Sequence, residues 1–124
     1  MKAITERGSA TERMLSYITE HMKEKDEKVL RNILKTKDGR WFIMRLLDKT
    51  KVNCETFTGN SQTFYNEGKR SIGINLVQEI TALGLDAVLL KQKAEKEYIA
   101  QQIEYKQLYM ESLEADAAKK ELDD

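Results

Sequence analysis

The residue types that carry most protein chemistry are sparse in this chain and poorly placed to cooperate. It has one cysteine, Cys54, and one histidine, His21, in 124 residues. A reactive thiol needs a helix start, a base or a cationic neighbour to lower its pKa, and the sequence puts none beside Cys54. That residue reads better as a small buried hydrophobe. His21 has no second histidine with which to share a metal. The spacing Gly68-x-x-x-x-Gly73 is that of a phosphate-binding loop, but Ile74-Asn75 stands where Lys-Ser/Thr would be needed, and no strand precedes it. Nothing in the spacing of the carboxylates suggests an acid–base pair in a cleft. The reading is therefore a non-enzymatic protein with no catalytic residue, no cofactor and no metal.

The elements that hold these residues are more informative. Gly39–Gly73 contains the sole Trp, all three Phe and four of the six Gly. The rest reads as charged amphipathic helix, with 34% charged and 7% aromatic residues and no proline to break a helix. A chain of this length supports one modest core. The formal net charge is zero, so no global field points to nucleic acid or membrane. Residues 1–84 nevertheless carry 15 Lys/Arg against 11 Asp/Glu, and residues 85–124 carry 6 against 10. A lone cysteine suits a reducing compartment. With no apolar leader and no run of about 18 apolar residues, a soluble protein with no membrane contact is expected.

Ser9-Ala10-Thr11-Glu12 has the form of a capping box. The apolar spacing of Met14, Leu15, Ile18 and Met22 predicts a first helix over about 11–23. His21 would then lie near its end, where an imidazolium interacts favourably with the helix dipole. Asp26 is placed to cap a second helix through Val29, Leu30, Ile33 and Leu34. Gly39 reads as a turn or C-cap residue and Asp38 as a start for the next helix. Trp41, Phe42, Ile43, Met44, Leu46 and Leu47 make that helix apolar nearly all round, which predicts burial. Residues 49–60 read as the main loop, anchored by Val52 and Phe57. Asn60 or Ser61 can cap a fourth helix with Phe64, Tyr65, Gly68, Ile72, Leu76, Ile80 and Leu83 along one side. Gly68 and Gly73 inside it imply close approach of another helix or of a ring such as Trp41.

Gly84 interrupts that pattern, and Asp86 can cap a last helix. Residues 87–120 contain neither Gly nor Pro and predict one helix roughly 50 Å long. Ile99, Ile103, Lys106, Met110, Leu113 and Ala117 step by four and three, a heptad seam with one lysine in it. Tyr98, Tyr105 and Tyr109 form a second stripe beside the seam. A domain this small cannot cover such a helix, so a partner is expected on Tyr98, Ile99, Ile103, Tyr105, Met110 and Leu113. The acidic tail argues against a membrane-lying helix.

The run Gly39-Arg40-Trp41-Phe42, Leu46-Leu47, Phe57-Thr58-Gly59-Asn60, Thr63-Phe64, Gly68-Lys69-Arg70 and Ile72-Gly73 resembles a family of small tailed-phage proteins. The family is named after an uncharacterised Bordetella phage protein, and its genes usually lie among head and portal genes. The resemblance covers about residues 25–85 and leaves out the long tail. It implies a virion or head-morphogenesis role with no established activity, in the host cytoplasm during assembly and then in the virion. Arg40, Lys69 and Arg70 match the family's basic positions. Arg40 and Arg70 suit internal ion pairs that pin the aromatic core, or contacts to DNA phosphate or an acidic partner. The internal role is preferred because both adjoin the most buried stretch.

The expected fold is all-α: a small domain over residues 1–84, with three or four short helices around Trp41, Phe42, Leu46, Phe57, Phe64 and Ile72. It leads into a long amphipathic helix over residues 85–124, acting as an oligomerisation or partner-binding arm. The leading function is a head- or portal-associated structural protein, assembling as a homo-oligomer or with other phage structural proteins. The alternative is a DNA-binding accessory in packaging or regulation, motivated by the basic 23–51 segment and Lys69-Arg70.

Overall fold

The computed structural model describes residues 8–52, 59 and 62–123. Among them the chain is all-α, with helices α1 (Ala10–Lys35), α2 (Lys37–Lys49), α3 (Gln62–Ala82) and α4 (Leu85–Asp123). Cys54, Phe57 and the residues read as the cap of the fourth helix, Asn60 and Ser61, lie outside the described residues.

The two helices expected over 11–34 are one. Ser9 caps α1 as its sequence suggested, accepting the Glu12 N–H at 3.1 Å. No glycine or proline intervenes before Lys35, and acid–base spacings such as Glu24 to Lys28 favour continuation through the charged middle. Asp26 therefore lies inside a helix and caps nothing. His21 lies mid-helix, away from the C-terminal dipole, and its Nδ1–H donates to the Tyr17 carbonyl at 2.8 Å.

The real break falls at Thr36, which closes one helix and opens the next. Its backbone is extended, and its hydroxyl oxygen accepts the Gly39 N–H at 2.9 Å. Gly39 is thus not the turn itself but sits in the first turn of α2. A Cβ there would overlap the Ile33 carbonyl oxygen and stand 2.7 Å from the Thr36 Oγ1. The chain doubles back so tightly that α2 begins against the last turn of α1.

Helix α2 packs on α1, α3 and α4. Its buried face is Arg40, Ile43, Met44 and Leu47, the i, i+3, i+4, i+7 set. The expectation of a helix buried all round does not hold. Phe42 is 60% exposed, Trp41 is exposed on the rim, and Leu46 is half-buried. The core is made instead by Leu30, Leu34, Ile43, Met44, Leu47, Ile80, Ala87, Ala94 and Tyr98, with Val52, Leu76 and Leu83 against it.

Helix α3 also buries residues other than the aromatic ones expected. Its buried positions are Asn66, Gly73 and Ile80, which recur every seven residues. Phe64, Tyr65 and Ile72 lie on a neighbouring side, and Phe64 is 82% exposed. Of the two glycines, Gly73 is a close-packing residue, because a Cβ there would overlap Thr50 and Val52 rather than Trp41. Gly68 has nothing within 4 Å of a Cβ. Alanine substitution should therefore separate them. Gly68→Ala is expected to stabilise by about 0.5–1 kcal/mol through helix propensity. Gly73→Ala is expected to destabilise by about 1–2 kcal/mol through displacement of Thr50 and Val52. Chemical denaturation of both variants checks the contrast.

Gly84, at φ 116°, makes the tight turn between α3 and α4, and its carbonyl accepts the Val88 N–H at 3.2 Å. Asp86 is in the first turn of α4 rather than at its cap, where it forms an ion pair with Arg31. Arg31 also donates to the Leu83 carbonyl, tying α1 to this turn. With 39 residues, α4 is roughly 58 Å long. Its first half belongs to the core through Ala87, Ala94 and Tyr98. The packed unit thus extends past residue 84, where the small domain was expected to end, to about Gln101.

Candidate functional site

The basic side chains singled out from the sequence have partners within the protein, and Arg40 among them is buried. Arg40 is 6% exposed. Its Nε and Nη2 meet the two carboxylate oxygens of Glu97 at 2.5 and 3.2 Å, and its Nη1 donates to the Leu34 carbonyl at 3.0 Å. One guanidinium thus joins the end of α1, the start of α2 and the first third of α4. The Arg40 hydrogen bonds, opposed by burial and aided by its charge, hold the Glu97 carboxyl below the usual carboxylate range. This bears out the internal ion-pair reading of Arg40.

Arg70 is half-buried and donates from Nε to the Val52 carbonyl at 3.4 Å. It therefore ties α3 to the start of the α2–α3 connection by a hydrogen bond, and among the described residues it has no ion pair of the kind expected of it. Lys69 is also half-buried, with its Nζ 4.3 Å from the centre of the Tyr65 ring. Arg45 donates to the Tyr98 hydroxyl at 2.9 Å and to Asp48 at 3.3 Å. The Tyr98 hydroxyl in turn donates to Asp48 at 2.8 Å. The Tyr98 ring packs on Trp41 with 5.0 Å between centroids. Tyr98, expected on a partner-facing stripe, is thus a core residue with its hydroxyl engaged at home. The stripe turns inward there because Tyr98 shares a face with Ala87 and Ala94.

Glu97 was not singled out from sequence. It is an ordinary acidic residue 57 positions from Arg40. Its one local signal is its place beside Tyr98 on the inward side of α4.

The remaining candidates are exposed together. Beyond Gln101 every described residue of α4 is exposed, including Ile103 (64%), Met110 (47%) and Leu113 (44%). Ile99, Tyr105, Leu108 and Tyr109 are exposed as well. Together they leave an apolar series uncovered along this part of the helix. Helix α1 repeats the pattern. All of residues 9–29 are exposed, with Met14, Leu15, Tyr17, Ile18 and Met22 among them. Those residues have helical spacing, but only Leu30 and Leu34 of α1 reach the core. Spacing marked an apolar face without marking what lies against it.

Among the described residues no group of three or more His, Cys, Asp or Glu could hold a metal ion. The groove beside Trp41 and Tyr98 encloses about 120 Å³, below the size of sites that take a metabolite. Among the described residues no helix is long and apolar enough to cross a membrane.

Comparison with known proteins agrees with the resemblance carried by the Gly39–Gly73 stretch. No curated protein and no solved structure matches the chain. The profile of the family described as Bbp19-like phage protein matches residues 30–93. That span runs from the first buried residue of α1 into the first quarter of α4, so it holds the Thr36 corner, α2, α3 and the Gly84 turn. It leaves out the exposed residues 10–29 of α1 and residues 94–123 of α4, which include the buried Ala94 and Tyr98. Matched over more than half of its length, this chain belongs to the Bbp19-like phage protein family.

Proposed function

We propose that this chain is a non-enzymatic structural protein of the phage particle or of its head assembly. It acts within or beside the head or portal, through contacts made by its outer helices. The observation that carries the reading is the uncovered half of α4. Roughly 22 residues project beyond the packed unit with Ile103, Met110 and Leu113 in the open. A free-standing enzyme gains nothing from such a helix, and an assembling subunit gains an interface. The packed unit, most of which the family profile covers, then serves as the fixed base, and the exposed parts of the two outer helices as contact elements.

A DNA-packaging or regulatory role draws less support from the geometry. The basic segment would have to supply the phosphate contacts, yet Arg31, Arg40 and Arg45 have carboxylates of this chain as partners. The exposed lysines of α1, among them Lys23, Lys25 and Lys28, are interleaved with Glu24, Asp26 and Glu27. Such a face is close to neutral and makes few phosphate contacts.

Quantitative mass spectrometry of purified particles, with sedimentation of the isolated chain, tests the reading. Several copies per particle are expected. Absence from particles, together with a monomer mass independent of concentration, would contradict it.

A further inference from the structure

Both outer helices carry a seam of the same kind. On α1, Thr11, Leu15, Ile18, Met22, Lys25 and Val29 step by four and three, as Ile99 to Ala117 do on α4. Every side chain of both seams is exposed. At about 100° per residue, the α1 seam centres roughly 120° round the helix from Leu30 and Leu34. The α4 seam centres roughly 150° from Ala87, Leu90 and Ala94, which pack in the core. A second helix can therefore lie along either seam without entering the packed unit.

The two seams leave that unit at opposite ends. Lys23 and Leu30 of α1 border a groove with Ala82 and Leu83, and Arg31 meets Asp86, so α1 runs out past the start of α4. The α4 seam begins at Ile99 and runs out past the other end. Neither seam can cover the other within one chain, and both are open to a second copy.

Charge then decides which seam meets which. In heptad terms Leu15, Met22 and Val29 of α1 take the a positions, as do Ile103, Met110 and Ala117 of α4. Like with like fails. Two α4 helices in parallel set Lys106 on Lys106 and Asp116 beside Glu121. In antiparallel, centred on residue 108, they set Lys120 on Lys96 twice and Glu95 beside Asp123. Two α1 helices meet at Lys25 in parallel, and in full antiparallel overlap they bring Glu12 beside Asp26 twice. Like charges so placed are destabilising.

Unlike seams fit in one parallel register, with residue 11 level with residue 99. Leu15 then meets Ile103, and Met22 meets Met110. The two seam lysines fall in different layers, Lys25 on Leu113 and Lys106 on Ile18, where each can lay its stem on the apolar side chain. On the flanks Lys28 lies beside Glu121 and His21 beside Glu114. The one like-charge approach is Glu12 to Glu95, in the first heptad, and Glu95 already pairs with Lys91 at 2.5 Å. Sliding by a heptad either way puts Lys25 on Lys106 or on Lys120. Turning α4 round in full overlap sets Glu12 beside Glu114 and leaves no pair of opposite charges.

We infer that the α1 seam of one copy pairs in parallel with the α4 seam of a second, over roughly 27 Å, with the two packed units at opposite ends of the overlap. The contact is head-to-tail, so each copy keeps one seam free for the next. This rests on the assembly role proposed for the chain and specifies the partner and the geometry of the contact.

Sedimentation equilibrium of the full chain and of two variants, Ile18→Asp and Ile103→Asp, tests this. Both residues are exposed in the single chain, so helix content should not change. The parent should associate beyond a dimer as concentration rises. Each variant alone should associate on the order of a hundredfold more weakly. An equimolar mixture should recover parent-like affinity and stop at the dimer, because the intact α4 of one variant meets the intact α1 of the other. A parent that stays monomeric at all concentrations would overturn the inference. So would either variant associating alone as tightly as the parent, or a mixture no tighter than its components. The register has its own check: Lys28→Glu should loosen association about fivefold, and Glu121→Lys in the same chain should restore it. Either no loosening or no rescue would overturn the parallel register. Particle content is measured separately, so these failures would leave a virion role standing and reject only this contact.

Discussion

Gly39→Ala is expected to lower the unfolding free energy by about 3 kcal/mol, with complete loss of the native fold as the upper extreme. Alanine would ordinarily gain about 1 kcal/mol over glycine inside a helix. Here the added methyl overlaps the Ile33 carbonyl, and it also crowds the Thr36 hydroxyl that caps α2. The obstructing group is backbone, fixed by the last turn of α1, so no side-chain rotation relieves it. The corner must open, and Arg40, one residue on, would be drawn from its carboxylate. Urea titration reads the effect, and a variant as stable as the parent would show that the α1–α2 corner is looser than described. Gly73→Ala should cost less, because its obstacles are the side chains of Thr50 and Val52.

Arg40→Ala should be the next most damaging change, at about 2–3 kcal/mol. That figure lies below the usual cost of breaking a fully buried pair because Glu97 keeps a side-chain exposure of 26%. The substitution strands the Glu97 carboxylate and leaves the Leu34 carbonyl without its guanidinium partner. Pairing Arg40→Met with Glu97→Leu should recover most of the loss, since two apolar side chains of similar volume leave no unpaired charge. The pH dependence has a definite sign. The Glu97 carboxyl has a lowered pKa in the folded chain, so its contribution is fully present above the ordinary carboxylate pKa. It is lost as the pH falls from about 4.3 through the folded value. The stability gap between the parent and Arg40→Met should therefore narrow below about pH 4. A gap independent of pH would mean that the pair contributes packing alone.

The sequence expressed the helices more clearly than the faces they bury. The Ser9 cap, the interruption at Gly84 and the long α4 came from local chemistry: a capping oxygen, a residue that tolerates positive φ, and an unbroken run without Gly or Pro. Local chemistry alone could not choose between two apolar sides of one helix. In α2 both Phe42 and Ile43 look like core, yet only Ile43 is buried. In α3 the eye is drawn to Phe64 and Ile72, while the packed line runs through Asn66, Gly73 and Ile80. The inner contact of Arg40 was expected, but its partner Glu97 lies 57 residues away and has no local mark. Thr36 was overshadowed by the neighbouring Asp38 and Gly39, although its hydroxyl closes the corner.

The exposed candidates fared differently because exposure along α4 is a consequence of length. A helix of 39 residues outruns the three shorter helices that pack on its first half. Ile99, Ile103, Tyr105, Met110 and Leu113 were therefore identifiable as uncovered before any neighbour was known. Tyr98 sat on the same visible stripe and proved to be the point where the stripe enters the core.

If the uncovered half of α4 carries this protein into the phage particle, particle content must depend on its apolar seam. The direct test is the copy number in purified particles of the wild-type chain and of an Ile103→Asp, Leu113→Asp variant shown to keep its helix content and thermal stability. Several copies of the wild-type chain per particle and near-absence of the variant are expected. Incorporation of the folded variant at the wild-type copy number would contradict that role for α4.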